Sequence, residues 1–270
     1  MNANLIAYEC RDGIGYILHN RPEARNAESR TLLQEMDDAL KAAVADPEVR
    51  VVVIGGVGDH FSAGHDLKGN GSTPVQHTVE SRWVVEERYF LQYSLNIWDC
   101  PKPTIARVQG ACIAGGFMVA NMCDLIVAAD DAFFADPVCQ SLASSAVEVL
   151  VHPWVLGLRK AKEFLYTGQR LSATDAEKWG MVNRVVPRTE LDSATHDLAM
   201  RIAQAPPFTL MLTKRSLNRT ADIQGFRNAL QAHFDTHQLS HRTEEHLSLR
   251  ARASSDKLIA SAKQKSSTAG

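Results

Sequence analysis

Two glycine-bearing turns, each directly after an apolar run of β-strand character, constrain the fold of this 270-residue chain more than any other feature. The first turn spans residues 61–68 after the apolar run 49–54, and the second spans 108–116 after the run 104–108. A helix-compatible segment follows each turn, and this repeated order predicts an α/β layer fold. Glycine lets the backbone approach a ligand closely, and a helix N-terminus adds a positive partial charge. The two turns therefore have the properties of the two halves of an oxyanion hole.

The remaining pattern supplies further strands and helices around these turns. Alternating apolar residues on both sides of Arg11-Asp12-Gly13 predict a β-hairpin over 5–10 and 14–19. Ser172 with Asp175 resembles a helix start, and Gly180 resembles its end. Apolar periodicity predicts the other segments: helices over 32–44, over 79–98 with an aromatic stripe, and over 117–122, and strands over 124–129, 133–134 and 181–186.

From residue 191 onward the pattern is helical to about residue 250, with a break at Pro206-Pro207. This change of composition predicts a core over residues 1–190 and a helical region over 191–270. The last residues, 254–270, are rich in Ser, Ala and Lys and are expected to form a frayed tail.

Composition points to a soluble protein that acts on a small molecule. The formal net charge is −2 and the hydrophobic content is 45%, so the sequence shows no electrostatic bias toward nucleic acid or membrane. The five cysteines form no CxxC pair, which argues against a disulfide framework or a zinc site of that type and predicts buried thiols in a reducing compartment. The N-terminus has no signal-peptide pattern and no segment has eighteen consecutive apolar residues, so we expect a cytoplasmic protein.

Motifs for other common chemistries are missing. Gly56-Val57-Gly58 begins a dinucleotide-binding pattern, but Phe61 stands where the third glycine belongs. The sequence contains neither a P-loop motif nor a G-x-S-x-G elbow, so nucleotide hydrolysis and serine hydrolase chemistry lack their signatures.

Several segments together resemble the crotonase superfamily, also called the enoyl-CoA hydratase/isomerase family. The resemblance covers nearly the whole chain in the right order. It implies a spiral of ββα units, a C-terminal helical region that builds homotrimers or dimers of trimers, and an acyl-CoA thioester as substrate. The segments that carry it are 20–27, 61–68, 108–116, 123–124, 134–137 and 165–186.

The resemblance also assigns roles to individual residues. It implies that the backbone N–H groups of His65 and Gly115 form the oxyanion hole. For the His65 side chain, a hydrogen-bonded structural role is favoured over a catalytic one. No metal and no cofactor is implied, because coenzyme A is part of the substrate. The positions expected to lie along the CoA moiety are Ala24, Arg25, Ala27, Ala63, Asp66 and Leu67.

Two positions depart from the family pattern. Relatives that hydrate enoyl-CoA use two glutamates, and these positions hold Met118 and Val138 here. Val138 is also expected to line the CoA site. Because neither side chain can transfer a proton, isomerisation, hydrolysis or decarboxylation is as compatible with the sequence as hydration.

Glu148 is the carboxylate that we expect to replace the missing pair. Its apolar neighbours Val147 and Val149 predict desolvation, which raises a carboxyl pKa toward neutrality. The alternative is a structural carboxylate paired with His152 or with an arginine at a subunit contact. Asp136 is a weaker acid candidate, for which a capping or packing role is favoured.

His233, His237 and His241 recur every four residues on one predicted helical face. Since no HExxH arrangement accompanies them, a solvent-facing or subunit-contact stripe is favoured over a metal site.

Two hypotheses for function follow. The first is an enzyme that polarises an acyl-CoA thioester through His65 and Gly115 and stabilises its enolate. The second is a non-catalytic acyl-CoA carrier or sensor that kept the pocket after losing the two usual acids. The choice of acyl chain would depend on the packing of Trp83, Tyr89 and Phe90.

Overall fold

Strands and helices alternate along the chain, for which a computed structural model describes residues 4–67 and 78–252. The strands are β1 Ile6–Arg11, β2 Ile14–His19, β3 Val51–Gly56, β4 Thr104–Val108, β5 Ala111–Ile113, β6 Leu125–Ala129, β7 Phe133–Ala135, β8 Leu171–Ser172 and β9 Arg184–Val186. The helices are α1 Arg30–Ala45, α2 Val79–Glu86, α3 Tyr93–Trp98, α4 Gly115–Met122, α5 Val138–Leu142, α6 His152–Leu156, α7 Leu158–Thr167, α8 Ala173–Lys178, α9 Leu191–Ala203, α10 Pro207–Ile223 and α11 Phe226–Ser240.

These strands form two sheets. The larger has the order β1-β2-β3-β4-β6-β9, in which β1 and β2 are antiparallel and the other neighbours are parallel. The smaller has the order β5-β7-β8. The α/β fold expected from the sequence is therefore confirmed.

The central strand β3 is buried on both faces, as its continuous apolar run predicts. Val51 and Val53 enter one apolar cluster, which includes Leu191 of α9, whereas Val52 and Ile54 enter the main core. This alternation is the two-residue period of a strand. Helices cover both faces of the sheet as a result.

Several local predictions are confirmed by specific contacts. The hairpin forms with Ile6 opposite His19 and Arg11 opposite Ile14. Ser172 caps α8, since its Oγ accepts a hydrogen bond from the Asp175 N–H at 3.1 Å.

The strand predicted over 181–186 is shorter in the structure, where only β9, Arg184–Val186, forms. Gly180 adopts a left-handed conformation, with φ of +83°. The N–H groups of Met181 and Val182 then donate back to the carbonyl of Ala176, at 2.9 and 3.3 Å. These bonds close the end of α8 and leave too few residues for a longer strand.

The predicted helix over 79–98 is present, but a π-helical turn at Glu87–Gln92 joins α2 to α3. Such turns are rare and often occur at functional sites.

The helical character of the C-terminal region and its break at Pro206-Pro207 are confirmed. Within this region α11 packs back onto the main core through Phe226, Leu230 and Phe234. The role of this region in trimer formation stays a prediction, and the tail expected over 254–270 lies outside the described residues.

The expectation of buried thiols is confirmed for Cys100, Cys112 and Cys123. It is wrong for Cys10, which is exposed on β1, and Cys139 is only half-buried. Within residues 4–67 and 78–252, no helix combines the length and apolar character needed to cross a membrane.

Candidate active site

The two glycine turns meet in the structure. Ile113 N–H donates to the carbonyl of Ser62 at 3.0 Å, which joins the turns through the backbone. Gly64 has φ of +84°, and a β-carbon there would lie 2.7 Å from the Ile113 carbonyl oxygen and 3.2 Å from the Gly115 nitrogen. Glycine at position 64 is therefore required both by its conformation and by this close approach.

The backbone N–H groups of His65 and Gly115 have no acceptor among the hydrogen bonds of the described residues. Gly115 begins α4, and the first N–H groups of a helix have no intrahelical acceptor. His65 lies in an extended segment beside Glu28. The backbone hydrogen bonds to Glu28 are made by the residues on either side of His65. The Glu28 N–H donates to the Gly64 carbonyl at 2.8 Å, and the Asp66 N–H donates to the Glu28 carbonyl at 3.0 Å.

The imidazole of His65 lies between two carboxylates. Its Nδ1 is 3.7 Å from Glu148 Oε1, and its Nε2 is 4.0 Å from Glu28 Oε2. One ring face stacks on Phe90, with centroids 3.8 Å apart. Both nitrogen–oxygen separations exceed the length of a normal hydrogen bond, and Nε2 has no hydrogen-bond partner among the described residues. The structure therefore does not show the hydrogen-bonded structural role that was favoured for the His65 side chain.

Sequence reasoning missed Glu28. The residue is completely buried, and its carboxylate oxygens have no hydrogen-bond partner within the described parts of the chain. Burial raises the pKa of Glu28 to about 7, although His65 and Ser62 partly oppose that rise. The sequence did contain one indication of its role, because Glu28 is an acidic residue directly after the segment 20–27 that is expected to contact CoA.

Glu148 is also buried, as expected, but its charge state differs from the expectation. Burial alone would raise its pKa, yet the imidazoles of His65 and His237 outweigh that effect and hold the pKa below its ordinary value. His237 Nε2 is 3.5 Å from Glu148 Oε1. The carboxylate is therefore an anion near neutral pH, and the predicted rise of its pKa is wrong.

Pairing of Glu148 with His152, one of the two alternatives, is wrong because His152 faces Asp136, whereas pairing with an arginine at a subunit contact stays a prediction. His152 Nε2 lies 3.2 Å from Asp136 Oδ2. Asp136 also accepts from the N–H groups of Val138, at 3.2 Å, and Val147, at 3.4 Å. These contacts are those expected of the capping or packing role favoured for Asp136.

Met118 and Val138 are both buried in the main core. Met118 Sδ accepts from the Val149 N–H at 3.3 Å. Val149, the residue after Glu148, therefore contacts Met118, which occupies the position expected for the first hydratase glutamate. Glu148 lies close to that position as a result.

The two segments expected to contact CoA lie side by side. Ala63 N–H donates to the Arg25 carbonyl at 2.9 Å, which joins the segment of Ala24 and Ala27 to the segment of Asp66 and Leu67. The Asp66 carboxylate is buried and pairs with Arg21 Nη1 at 2.6 Å. By contrast, Leu67 is 74% exposed, and Val138 begins α5 inside the core.

The three histidines of the predicted face, two in α11 and one directly after it, do not form a solvent-facing stripe. His233, His237 and His241 are all buried within one chain because α11 packs on the core. His233 Nε2 contacts the Val147 carbonyl at 2.8 Å. Burial would lower the pKa of His237, but Glu148 and Glu86 together raise it to about 9.

The three aromatic residues considered for the acyl pocket have different neighbours. Trp83 packs edge-on against Phe234, and Tyr89 packs against Tyr93. Phe90 alone of the three stacks on His65. A separate surface cavity of about 300 Å³, lined by Trp98, Lys214 and Arg227 among others, shares no lining residue with this site.

Comparison with known proteins gives consistent matches. The family model described as enoyl-CoA hydratase/isomerase matches residues 9–253. A Mycobacterium tuberculosis protein provisionally named enoyl-CoA hydratase EchA13 is 41% identical over 255 residues, which cover 87% of this chain and 80% of that protein. A 4-chlorobenzoyl coenzyme A dehalogenase from Arthrobacter sp is 33% identical and is matched over 78% of this chain and 77% of its own.

A crystal structure of a provisionally identified enoyl-CoA hydratase from Mycobacterium smegmatis has a TM-score of 0.84 and 48% identity. The match covers 88% of this chain and 95% of that chain.

Proposed function

Because the chain belongs to the enoyl-CoA hydratase/isomerase family, we propose that it is an enzyme that binds an acyl-CoA thioester and stabilises the enolate formed from it. The observation that carries this proposal is the pair of backbone N–H groups, at His65 and Gly115, that have no acceptor among the described residues and belong to adjoining turns. Two such donors would hold the thioester oxygen and stabilise its negative charge. Loss of one oxyanion-hole donor typically costs about 3 kcal/mol.

The proton transfer in this proposal belongs to the cluster of Glu28, His65 and Glu148. A general acid or base works best when its pKa lies near the operating pH, which fits Glu28 with a pKa of about 7. Glu148 stays ionised and faces Nδ1 of His65 at 3.7 Å, so it would orient the imidazole toward the substrate. Met118 and Val138 replace the acids of the usual hydration pair. The reaction best supported is therefore removal of a proton beside the thioester carbonyl and its return to another carbon, which is an isomerisation.

The CoA moiety would lie along the segments of Ala24, Arg25 and Ala27 and of Ala63, Asp66 and Leu67, which the backbone joins. The Arg21–Asp66 ion pair fixes the second of these segments next to the first. Phe90, stacked on His65, would contact the acyl chain near the thioester.

Enolate formation can be tested without knowing the net reaction. Saturated, 2-enoyl, 3-enoyl, aromatic and malonyl-type CoA thioesters would be incubated with the enzyme in D₂O. Nuclear magnetic resonance would then follow deuterium entry at the α-carbon, and product analysis would separate isomerisation, hydration, hydrolysis and decarboxylation. We expect wild-type protein to catalyse exchange and Glu28→Gln to reduce it by about 100-fold or more, the usual contribution of general acid–base catalysis.

Glu163→Gln is the control, because Glu163 is exposed on α7 and pairs with Lys160. Exchange at the wild-type rate in Glu28→Gln would remove Glu28 from the mechanism. Tight thioester binding with neither exchange nor turnover for any substrate would instead support the carrier or sensor hypothesis, which the absence of acids at Met118 and Val138 favours.

We also propose that the chain assembles through its C-terminal helices into a homotrimer or a dimer of trimers. Large apolar side chains on α10 are exposed in the single chain, namely Phe208, Leu212, Leu217 and Ile223. Burial of such side chains between subunits would be favourable.

A further inference from the structure

Three ligand atoms converge beside the active-site cluster, next to Glu148, whose Oε1 faces both His65 and His237. They are Oε2 of Glu86, Nε2 of His237 and Nε2 of His241, called here the Glu86–His237–His241 triad. His237 would release a proton when a metal ion binds, because only a neutral imidazole nitrogen can be a ligand. The two nitrogens are 3.0 Å apart, and they lie 3.6 and 3.7 Å from the carboxylate oxygen. A triangle with these sides has a circumradius of about 2.0 Å, which equals the usual length of a zinc–nitrogen or zinc–oxygen bond.

A hydrogen bond joins Nε2 of His237 to Nε2 of His241 at 3.0 Å, but it accounts for only part of the arrangement. Only one N–H is available at Nε2 of His237, yet this atom faces His241 Nε2, Glu86 Oε2 and Glu148 Oε1. The two oxygens lie 3.5 and 3.6 Å away, beyond the range of an N–H···O hydrogen bond. Separations near 3.4 Å are, however, about what ligand atoms around one tetrahedral zinc ion show.

The triad is built on rigid elements. His237 lies in the last turn of α11 and His241 follows one turn later, so their side chains share one face. Glu86 is the last residue of α2. All three side chains are buried, with exposed fractions of 2% for His237, 7% for His241 and 5% for Glu86.

Neighbouring side chains hold the triad in place. Arg82 Nε pairs with Oε1 of Glu86 at 2.6 Å, and Gln238 Nε2 donates to Oε2 at 2.6 Å. Ser144 Oγ lies 3.5 Å from Nδ1 of His241, on the side of that ring away from the triad centre. Partners of this kind orient ligand side chains in metal sites.

We propose that Glu86, His237 and His241 bind one divalent transition-metal ion, with zinc as the occupant that the donor set favours. Two imidazoles select against magnesium and calcium, which prefer oxygen ligands. The ion would connect α2 to α11 and so fix the helix that covers Glu148. The proposal does not depend on which acyl-CoA reaction the enzyme catalyses.

The test is a metal titration of full-length protein made without a histidine tag and dialysed against a chelator. Calorimetry with Zn²⁺ should show about one tight site per chain, with no heat from Mg²⁺. Replacement by Co²⁺ should give visible absorption bands that indicate nitrogen and oxygen ligands. His241→Gln and Glu86→Gln should each weaken binding by about 100-fold or more, since even loss of a supporting residue costs about 10- to 100-fold.

His233→Gln is the matched control, because His233 is buried on the same helix but contacts the Val147 carbonyl instead of the triad. It should keep the affinity of the wild type. Absence of tight Zn²⁺ binding in the wild type would overturn the proposal, as would equal binding in all three variants, which would indicate adventitious coordination elsewhere. Should the triad variants fail to fold, the wild-type Co²⁺ spectrum decides, since a spectrum of hexaaqua cobalt alone would overturn the proposal.

Discussion

The imidazole of His65 lies directly over the α-carbon of Gly115. A β-carbon at position 115 would stand 2.6 Å from Nε2 of His65 and 2.5 Å from its Cδ2. Oε2 of Glu28 would be closer still. Real β-carbons do not come this close to other heavy atoms, so position 115 can hold only glycine while His65 and Glu28 stay in place.

Gly115→Ala should therefore displace Glu28 and His65 or tilt the start of α4, and with it one of the two free N–H groups. We expect exchange at the substrate α-carbon to fall by about 100-fold, as for loss of an oxyanion-hole donor. Gly180→Ala provides the control, since Gly180 has φ of +83° with no atom near its missing β-carbon. That variant should lose about 1 kcal/mol of stability and keep full activity. Equal loss of activity in the two variants would contradict the assignment.

Glu28→Gln should change the pH dependence of stability. In the folded protein Glu28 keeps its proton up to about pH 7, whereas in the unfolded chain it loses the proton near its ordinary value of 4.5. The folded state therefore binds more protons between these values, and its stability falls as pH rises through this window. The glutamine variant lacks this loss, and above pH 7 it should gain up to about 3 kcal/mol relative to wild type. Urea unfolding at pH 4.5, 6 and 8 would measure the difference, which should vanish at the lowest pH.

Asp136→Asn should reduce stability without removing activity. Asparagine has one acceptor oxygen, so it can serve only one of the two backbone N–H groups, of Val138 and Val147, that Asp136 now accepts. A buried donor left without a partner costs about 1–3 kcal/mol. Thermal unfolding and turnover measured well below the melting temperature would separate the two effects. Complete loss of turnover in folded protein would return Asp136 to the list of catalytic candidates.

Charge on the exposed face of α10 should disrupt the proposed oligomer. Phe208 and Leu212 are one turn apart and both exposed in the single chain, so glutamate at both positions would be solvated in a monomer but buried in an interface. Light scattering should show a trimer or hexamer for wild type and a smaller species for the double variant. Tyr166→Glu, at an exposed position on α7, should leave the mass unchanged. A monomeric wild type would disprove the proposed assembly.

Local signals predicted much of the fold. The hairpin around Asp12 and the cap at Ser172 depend on neighbouring residues, which a sequence displays directly. The strand expected from 181 was too long because the Ala176 carbonyl accepts both following N–H groups, a competition that hydrophobic pattern does not reveal.

The candidate site was predicted less completely because its electrostatics join distant parts of the chain. The glycine turns suggested an oxyanion hole, and the family resemblance assigned its backbone positions to His65 and Gly115. The ionisation of Glu148 depends on His237, which α11 brings to it from the C-terminal region, and Glu28 lies in an irregular segment without periodicity. Helical spacing placed His233, His237 and His241 on one face but could not show that this face is buried.

The π-helical turn between α2 and α3 shows how such a site can be modified. A turn of this type holds one more residue than an α-helical turn, and each residue rotates a helix by about 100°. Removal of one residue from Glu87–Gln92 should therefore rotate the residues of this turn and move Phe90 away from His65. Insertions and deletions at this turn give evolution a way to change the wall of the site in one step.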